Sequence, residues 1–299
     1  MSDTEGAQHR AGFISLVGRP NVGKSTLLNQ VVGTTLAAVA NKPQTTRNRI
    51  VGILNRPNAQ LVFVDTPGIH AATTPLNARL VTTARQAMGD SDVCVLVLDA
   101  AAGVTPGDRH VASDVAKRPL TVIALTKTDL VGKPAIIPIC AAAQNVIPNA
   151  DVVPVSGKTG DNVDHFLDIL AAMLPVGPPL YPLDQVTEQS ERFLAAEIVR
   201  EKLIAQTRDE VPYTTAVVVE AFREEPDRNL LVINAAIIVE RSSQKGILIG
   251  EKGSRIKEIG RAARVSLEAC FDCRIYLELH VKVVPDWTKN PRVLSELGI

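Results

Sequence analysis

Aromatic side chains are scarce in this chain, ten in 299 residues with a single tryptophan. Nucleic-acid binding dominated by base stacking is therefore excluded. Four cysteines are too few for a disulfide framework, and a cytoplasmic location fits. No apolar run approaches the roughly 18 residues that a membrane span needs. The opening MSDTEGAQHR lacks an apolar signal core. Net charge is absent too, with 32 basic and 32 acidic side chains. That excludes a uniformly basic coat for nucleic acid and an acidic solvating tail, but not a local basic site.

What is present is a folded chain of ordinary hydrophobic content, 45%. Its length suggests two domains. Residues 1–179 hold 15 basic and 13 acidic groups, with Glu5 the only glutamate, whereas 180–299 hold 17 basic and 19 acidic, mostly glutamate. Between them PVGPPLYPLD, Pro175 to Asp184, carries four prolines. Proline removes backbone donors and biases its predecessor to extended conformations. The expected division is a first domain over 1–179, a linker over 180–189 and a second domain over 190–299.

Short β-branched and apolar runs at Phe13–Val17, Gln60–Val64, Val93–Asp99, Thr121–Leu125 and Val152–Val155 predict strands buried on both faces. Helix-length stretches alternate with them, among them Ser25–Val32, Leu76–Met88, Gly107–Ala116 and Asp161–Leu174. This alternation predicts an α/β domain with a mostly parallel sheet and ligands at the carboxyl ends of the strands. The second half reads helix, strand, strand, helix, helix, strand: Arg192–Gln206, a hairpin of Thr215–Phe222 and Leu230–Val239, two helical stretches interrupted by glycines, and Cys273–Val284. That order predicts a small α+β domain.

Gly18-Arg19-Pro20-Asn21-Val22-Gly23-Lys24-Ser25 matches GxxxxGK[ST] between a strand and a helix, with Thr26 next. Its glycines let backbone N–H groups close round phosphate oxygens, and the helix start adds positive potential. Lys24 would reach the terminal phosphates and the Ser25 hydroxyl would ligate magnesium. Asp65-Thr66-Pro67-Gly68 ends a strand, where the carboxylate can hold magnesium through water and the Gly68 N–H can meet a terminal phosphate. Thr126-Lys127-Thr128-Asp129 ends another. A buried Asp129 would accept from N1–H and N2–H₂ of guanine and reject adenine. Lys127 would lie along the purine. Ser156-Gly157-Lys158 would offer backbone to the guanine carbonyl.

These spacings resemble the guanine-nucleotide-binding GTPases, and more narrowly the Era family of ribosome-assembly GTPases. GRPNVGKSTLLN, QTTRNRIVGI and DTPGIH stand in order, followed by RFLAAEIVREKL and ILIGEKGSRIKEIG. The resemblance spans about Gly12 to Trp287. It implies GTP and GDP as ligands, Mg²⁺ as cofactor and slow GTP hydrolysis. Two positions depart from the family pattern. Thr126 replaces the asparagine of NKxD, which predicts retained guanine preference with weaker binding. Gly157 replaces the alanine of SAK, which predicts little change.

Gln44-Thr-Thr-Arg-Asn48 corresponds to the family's first switch, where Thr46, or failing it Thr45, would complete the magnesium shell. Ile69 stands where Ras-like enzymes place a water-orienting glutamine and cannot replace it. Asn21 resembles the asparagine through which related GTPases bind potassium, so K⁺ could supply the charge that an arginine finger supplies elsewhere.

Ile249-Gly250-Glu251-Lys252-Gly253-Ser-Arg255-Ile256-Lys257 places GxxG between two helices. KH modules clamp about four nucleotides with such a loop, and the element order matches type II KH. From Arg241 to Arg264 there are seven basic and two acidic side chains, a local field for phosphates. Resemblance to Era implies the 3′ end of small-subunit (16S) ribosomal RNA and the small ribosomal subunit as partners, with no role for DNA. It also allows peripheral association at the inner face of the cell membrane, although no basic amphipathic helix demands it.

Cys270 and Cys273 form one CxxC without a second pair, a weak metal or redox signal. His70 reads as a solvated loop residue and Trp287 as packing rather than stacking a base. Three rivals remain. A phosphotransferase would need an acceptor pocket and an acidic base. An RNA chaperone with a nucleotide-promiscuous or non-hydrolysing domain would not need Lys24, Ser25 and Asp65. A tRNA-modification GTPase fits poorly with the C-terminal KH pattern.

Overall fold

A computed structural model describes residues 8–39, 46–69, 74–118, 120–208, 210–297 and 299. Gln44, Thr45 and His70 lie outside the described residues. The chain divides into two compact units. The first takes in Met1–Gly33, Arg49–His70 and Val81–Glu188, the second Thr34–Asn48, Ala71–Leu80 and Gln189–Ile299. Two stretches expected in the first domain thus cluster with the second unit.

The first unit runs β1 (Arg10–Val17), α1 (Lys24–Val32), β2 (Ile50–Arg56), β3 (Ala59–Asp65), the later part of α2 (Pro75–Gly89), β4 (Val93–Asp99), α3 (Pro106–Val115), β5 (Thr121–Thr126), α4 (Lys133–Gln144), β6 (Asp151–Pro154) and α5 (Val163–Met173). Its sheet has the order β2-β3-β1-β4-β5-β6. Only β2 and β3 pair antiparallel; the other pairs are parallel. All seven residues of β3 and of β4 are buried, as continuous apolar runs under helices on both sides must be. Helix α3 starts sharply because Thr105 and Asp108 form a reciprocal capping box with Pro106 in the first turn.

Helix α4 escaped the sequence reading. Pro134 sits in its first turn, where a missing N–H costs nothing, but Pro138 lies inside it. The Pro-rich stretch is hydrogen-bonded to the first unit's sheet. It lies along the first unit: Gln60 Oε1 accepts from the Leu180 and Tyr181 amides, and Ile53 N donates to the Val186 carbonyl at 2.8 Å.

The second unit holds α6 (Glu191–Gln206), β7 (Ala216–Glu225), β8 (Leu230–Val239), α7 (Ser242–Ile249), α8 (Ser254–Phe271), β9 (Arg274–Val283) and α9 (Pro291–Glu296). Ser190 caps α6 by accepting from the Phe193 amide. The sheet is β7-β8-β9, antiparallel then parallel, with β9 at an edge. Ile198, Val199, Ile233, Ala263 and Leu267 pack α6 and α8 onto one face of it. Trp287 is fully buried, as expected of a packing residue. Its Nε1 donates to the Thr214 carbonyl at 2.9 Å. Helix α9 occupies a stretch in which the sequence showed no pattern.

Candidate nucleotide site and nucleic-acid groove

The phosphate loop leaves β1 at Val17 and enters α1 at Lys24. Two residues in it take the left-handed region, Asn21 (φ 64°) and Gly23 (φ 103°). Gly18 is required by proximity: a Cβ there would stand 2.6 Å from the Val97 carbonyl oxygen. The DTPG segment follows β3 and runs beside this loop, since Ile69 N donates to the Gly18 carbonyl at 3.2 Å. Thr66 is buried and anchors that segment by donating to the Leu16 carbonyl at 2.8 Å. The Ile69 side chain is buried in the core with Val17 and Leu96, so it has no part in orienting water.

Ser25 Oγ donates to Asp65 Oδ2 at 2.6 Å. A hydroxyl in the first turn of α1 and a carboxylate at the end of β3, so close together, are an oxygen donor pair suited to magnesium. Thr46 belongs to the second unit and is buried there.

Lys24 curls back over the loop, its Nζ donating to the Gly18 and Arg19 carbonyls at 3.2 and 3.0 Å. Burial lowers its pKa from 10.5 to about 8; Asp65 opposes that shift and Arg19 adds to it. The fold therefore carries a desolvation cost at pH below about 8 that disappears as pH rises past the unfolded value of 10.5. Phosphate oxygens would restore the charge. Nucleotide binding at pH 9 should take up close to one proton, and at pH 6.5 almost none. Calorimetry in two buffers of different ionisation enthalpy measures this; equal uptake at both pH values would separate Lys24 from phosphate binding. Arg19 is held sideways by an ion pair with buried Asp108 at 2.7 Å.

At the base end, the Thr126 hydroxyl lies within hydrogen-bonding reach of two carbonyls, Val22 of the phosphate loop and Leu98 of β4. The threonine thus keeps the tie between loop and base end that an asparagine would make. Its single hydrogen is consumed there, which leaves nothing to donate to a base. Thr126→Asn should tighten GDP binding by up to about tenfold, one neutral hydrogen bond contributing roughly 0.5–1.5 kcal/mol. Titration with a fluorescent GDP checks it; unchanged or weaker binding would mean the hydroxyl serves as well.

Lys127 has a left-handed backbone (φ 58°) and pairs with Asp99 at 2.6 Å, while Thr128 is buried. Ser156 is buried and donates to Asp129 Oδ1 at 2.7 Å while accepting from the Lys158 and Thr159 amides. Asp129 itself is exposed, which corrects the expectation of a buried carboxylate. It stands at the rim, oriented by a buried serine. A Cβ on Gly157 would come within 3.0 Å of Leu27 backbone, so alanine here would need a small shift that the sequence did not reveal.

In the second unit, α7 ends at Ile249 and Gly250 takes φ 70°, ψ 179°, a conformation essentially confined to glycine. Lys252 (φ 50°) and Gly253 (φ 78°) are also left-handed, and Glu251, Lys252, Arg255 and Lys257 are exposed. Past the loop, a groove of about 520 Å³ lies between α8 and β9, lined by Ile256, Lys257, Gly260, Arg261, Arg264 and the strand Ile275–Leu279. Arg261, Arg264 and exposed Tyr276 were not singled out from sequence. The i, i+3/i+4 spacing from Lys257 was the available signal. Cys270 and Cys273 are free thiols.

The sheet order and phosphate loop make the first unit a P-loop GTPase domain, and the GxxG turn beside an edge strand makes the second a KH-type domain. Two family models match accordingly: "50S ribosome-binding GTPase" over residues 13–127 and "KH domain" over 210–288. GTPase Era of Syntrophus aciditrophicus is 51% identical, over 97% of this chain and 95% of its own. GTPase Era of Geobacter metallireducens is 46% identical, over 97% of each chain. The crystal structure of an Era bound to MgGDPNP and nucleotides 1506–1542 of 16S ribosomal RNA superposes with a TM-score of 0.93 at 38% identity, covering 97% and 99% of the two chains. An Aquifex aeolicus Era variant bound to GDP and AlF₄⁻ gives the same score, identity and coverage. The chain belongs to the GTPase Era family, enzymes that hydrolyse GTP.

Proposed function

We propose that the protein binds 16S ribosomal RNA near its 3′ end through the GxxG groove, under control of GTP, and so assists assembly of the small ribosomal subunit. The observation that carries this is the match, over 97% of the chain, to an Era holding both MgGDPNP and a 16S fragment. The broader first-domain family model is described by the 50S subunit. It covers only the nucleotide-binding part, so the full-length relatives weigh more.

In this reading Gly18–Thr26 wrap the phosphates, with Lys24 on the terminal ones. Ser25 and Asp65 hold magnesium, and Thr46 joins them in the GTP state. The metal would neutralise charge on the β- and γ-phosphates. The Gly68 amide meets the γ-phosphate, Asp129 reads guanine, Lys127 covers the purine and Ser156-Gly157-Lys158 borders its carbonyl. Asn21, exposed and left-handed, would help hold a potassium ion. On the RNA side the Gly250–Gly253 turn, with Ile249, Arg255 and Lys257, grips the backbone, and the free edge of β9 offers its own N–H and C=O groups to bases. Among the described residues no helix is long and apolar enough to cross a membrane. Vesicle flotation tests association with the membrane surface.

The test is paired. A fluorescent guanine nucleotide should be displaced by GTP and GDP but not by ATP. A 16S 3′-terminal fragment should bind, and Lys252→Glu should abolish that binding. Displacement by ATP would point to the nucleotide-promiscuous chaperone, and failure to bind the fragment would remove the ribosomal assignment. Hydrolysis equally fast in sodium and potassium, and unaltered by Asn21→Ala, would remove the potassium role.

A further inference from the structure

Lys24 finds two acceptors in the phosphate loop, the Gly18 and Arg19 carbonyls. These carbonyls flank the Cα of Arg19, so the backbone of that one residue sets where both point. Pro20 follows, and a proline disfavours helical backbone in its predecessor. The Arg19 side chain is confined as well. Its Nε donates to Asp108 Oδ1 at 2.7 Å. Asp108 is only 1% exposed, and its other oxygen accepts from the Thr105 amide at 2.9 Å and the Thr105 hydroxyl at 2.7 Å. The carboxylate is thus built into the cap of α3 and cannot follow a moving arginine.

Gly107 makes the room. A Cβ there would stand 2.6 Å from Arg19 Cδ, and the next nearest atoms, Cγ at 3.5 Å and Nε at 3.7 Å, also belong to Arg19. The backbone of Gly107 is helical, within α3, so its conformation alone does not call for glycine. All of these residues lie in the first unit.

We propose that Arg19 is a positioning residue for hydrolysis: pinned to the start of α3 by Asp108 and admitted there by Gly107, it fixes the loop carbonyls that aim Lys24 at the terminal phosphates. This rests on the reading that Lys24 reaches those phosphates. Catalysis depends on stabilising the charge of the transferring phosphoryl group in the transition state, so a misaimed lysine costs turnover more than binding.

The test uses the full-length protein. Gly107→Ala pushes the Arg19 stem aside while giving α3 a better helix former. Arg19→Met combined with Asp108→Asn removes the pin without stranding a buried charge, and the asparagine oxygen can still accept from the Thr105 amide. Arg19→Lys keeps a cation for Asp108 and serves as the rescue. In the first two, kcat should fall about 10²-fold, the usual result of a displacement of about 1 Å near reacting groups. Affinity for GTP and GDP should fall together by no more than about tenfold, the size of one neutral hydrogen bond. Preference for GTP over ATP should stay, since the base end is untouched. The melting temperature of Gly107→Ala should not drop, and Arg19→Lys should retain more of kcat than the other two. Normal kcat in the first two variants would overturn the proposal. So would a loss of kcat in Gly107→Ala matched by a lower melting temperature, which would reduce Arg19 to a packing contact. If Lys24→Ala leaves nucleotide affinity and turnover intact, the underlying assignment of Lys24 fails instead. If Lys24→Ala abolishes turnover while the first two variants turn over normally, only the role of Arg19 fails.

Discussion

Replacing Asp129 by asparagine should cost the protein its GTP and give it xanthine nucleotide. In the proposed reading the carboxylate would accept from two guanine donors; an asparagine amide would present a donor to one of them and suit the carbonyl that xanthine carries there. A site built to hydrogen-bond a partner discriminates by about 10⁴–10⁵ against an analogue that lacks it. Asp129 is exposed at the rim, so we expect a preference for GTP over XTP at the lower end of that range, roughly 10⁴, to be reversed. The fold should survive, because Ser156 donates to Oδ1 of Asp129 and an amide oxygen accepts equally well. Displacement of a fluorescent nucleotide by GTP and XTP gives the answer. If the variant still prefers GTP, base selection lies with other groups.

Gly68→Ala should be the most damaging single methyl in the first unit. Its Cβ would fall 2.5 Å from Pro20 N and 2.8 Å from Pro20 Cα and Cδ. These are backbone and ring atoms that cannot turn aside. Either the phosphate loop or the DTPG segment must move, and the bond from Ile69 N to the Gly18 carbonyl goes with it. Overpacking of this kind costs about 1–3 kcal/mol of stability. Displacement of about 1 Å near reacting groups can cost 10²-fold in rate, so GTP turnover should fall by at least that. Gly33→Ala is the control. Gly33 has φ 78° and nothing within 4 Å of a Cβ, so the substitution strains the backbone without touching the site. It should lower the melting temperature and leave turnover intact. Equal turnover in both variants would show that the contact between Gly68 and Pro20 is not needed for hydrolysis.

Much of this was legible in the sequence, for identifiable reasons. Strands buried on both faces read as unbroken apolar runs, as Val93–Asp99 does, and motifs that need a strand end then locate themselves. The KH turn was visible because its glycines occupy conformations other residues avoid. What could not be read was tertiary. Pro138 hid α4, because helix periodicity and a helix breaker gave opposing signals. Asp129 looked like a buried acid, since its role in recognition says nothing about the depth at which it sits. Arg47, in a polar stretch, resembled any solvated loop cation; only the three carbonyls that precede β7 and the indole that follows β9 reveal its burial. Gln60 stood in a strand with no sign that it would be fully buried and would hold a distant Pro-rich stretch.

That stretch has a consequence for handling fragments of the molecule. β2 is an outer strand of the six-stranded sheet, and an outer strand with bare amides and carbonyls recruits strands from other chains. Here Ile53 N is taken by Val186, Gly52 bridges Thr187, and the Thr187 hydroxyl donates to the Val51 carbonyl. Pro178, Pro179 and Pro182 lie in the segment that leads to this covering, and prolines cannot donate to a further ladder. A nucleotide-binding fragment ended at 179 would keep its motifs yet bare this margin, inviting aggregation. One ended after Glu188 would carry its own guard.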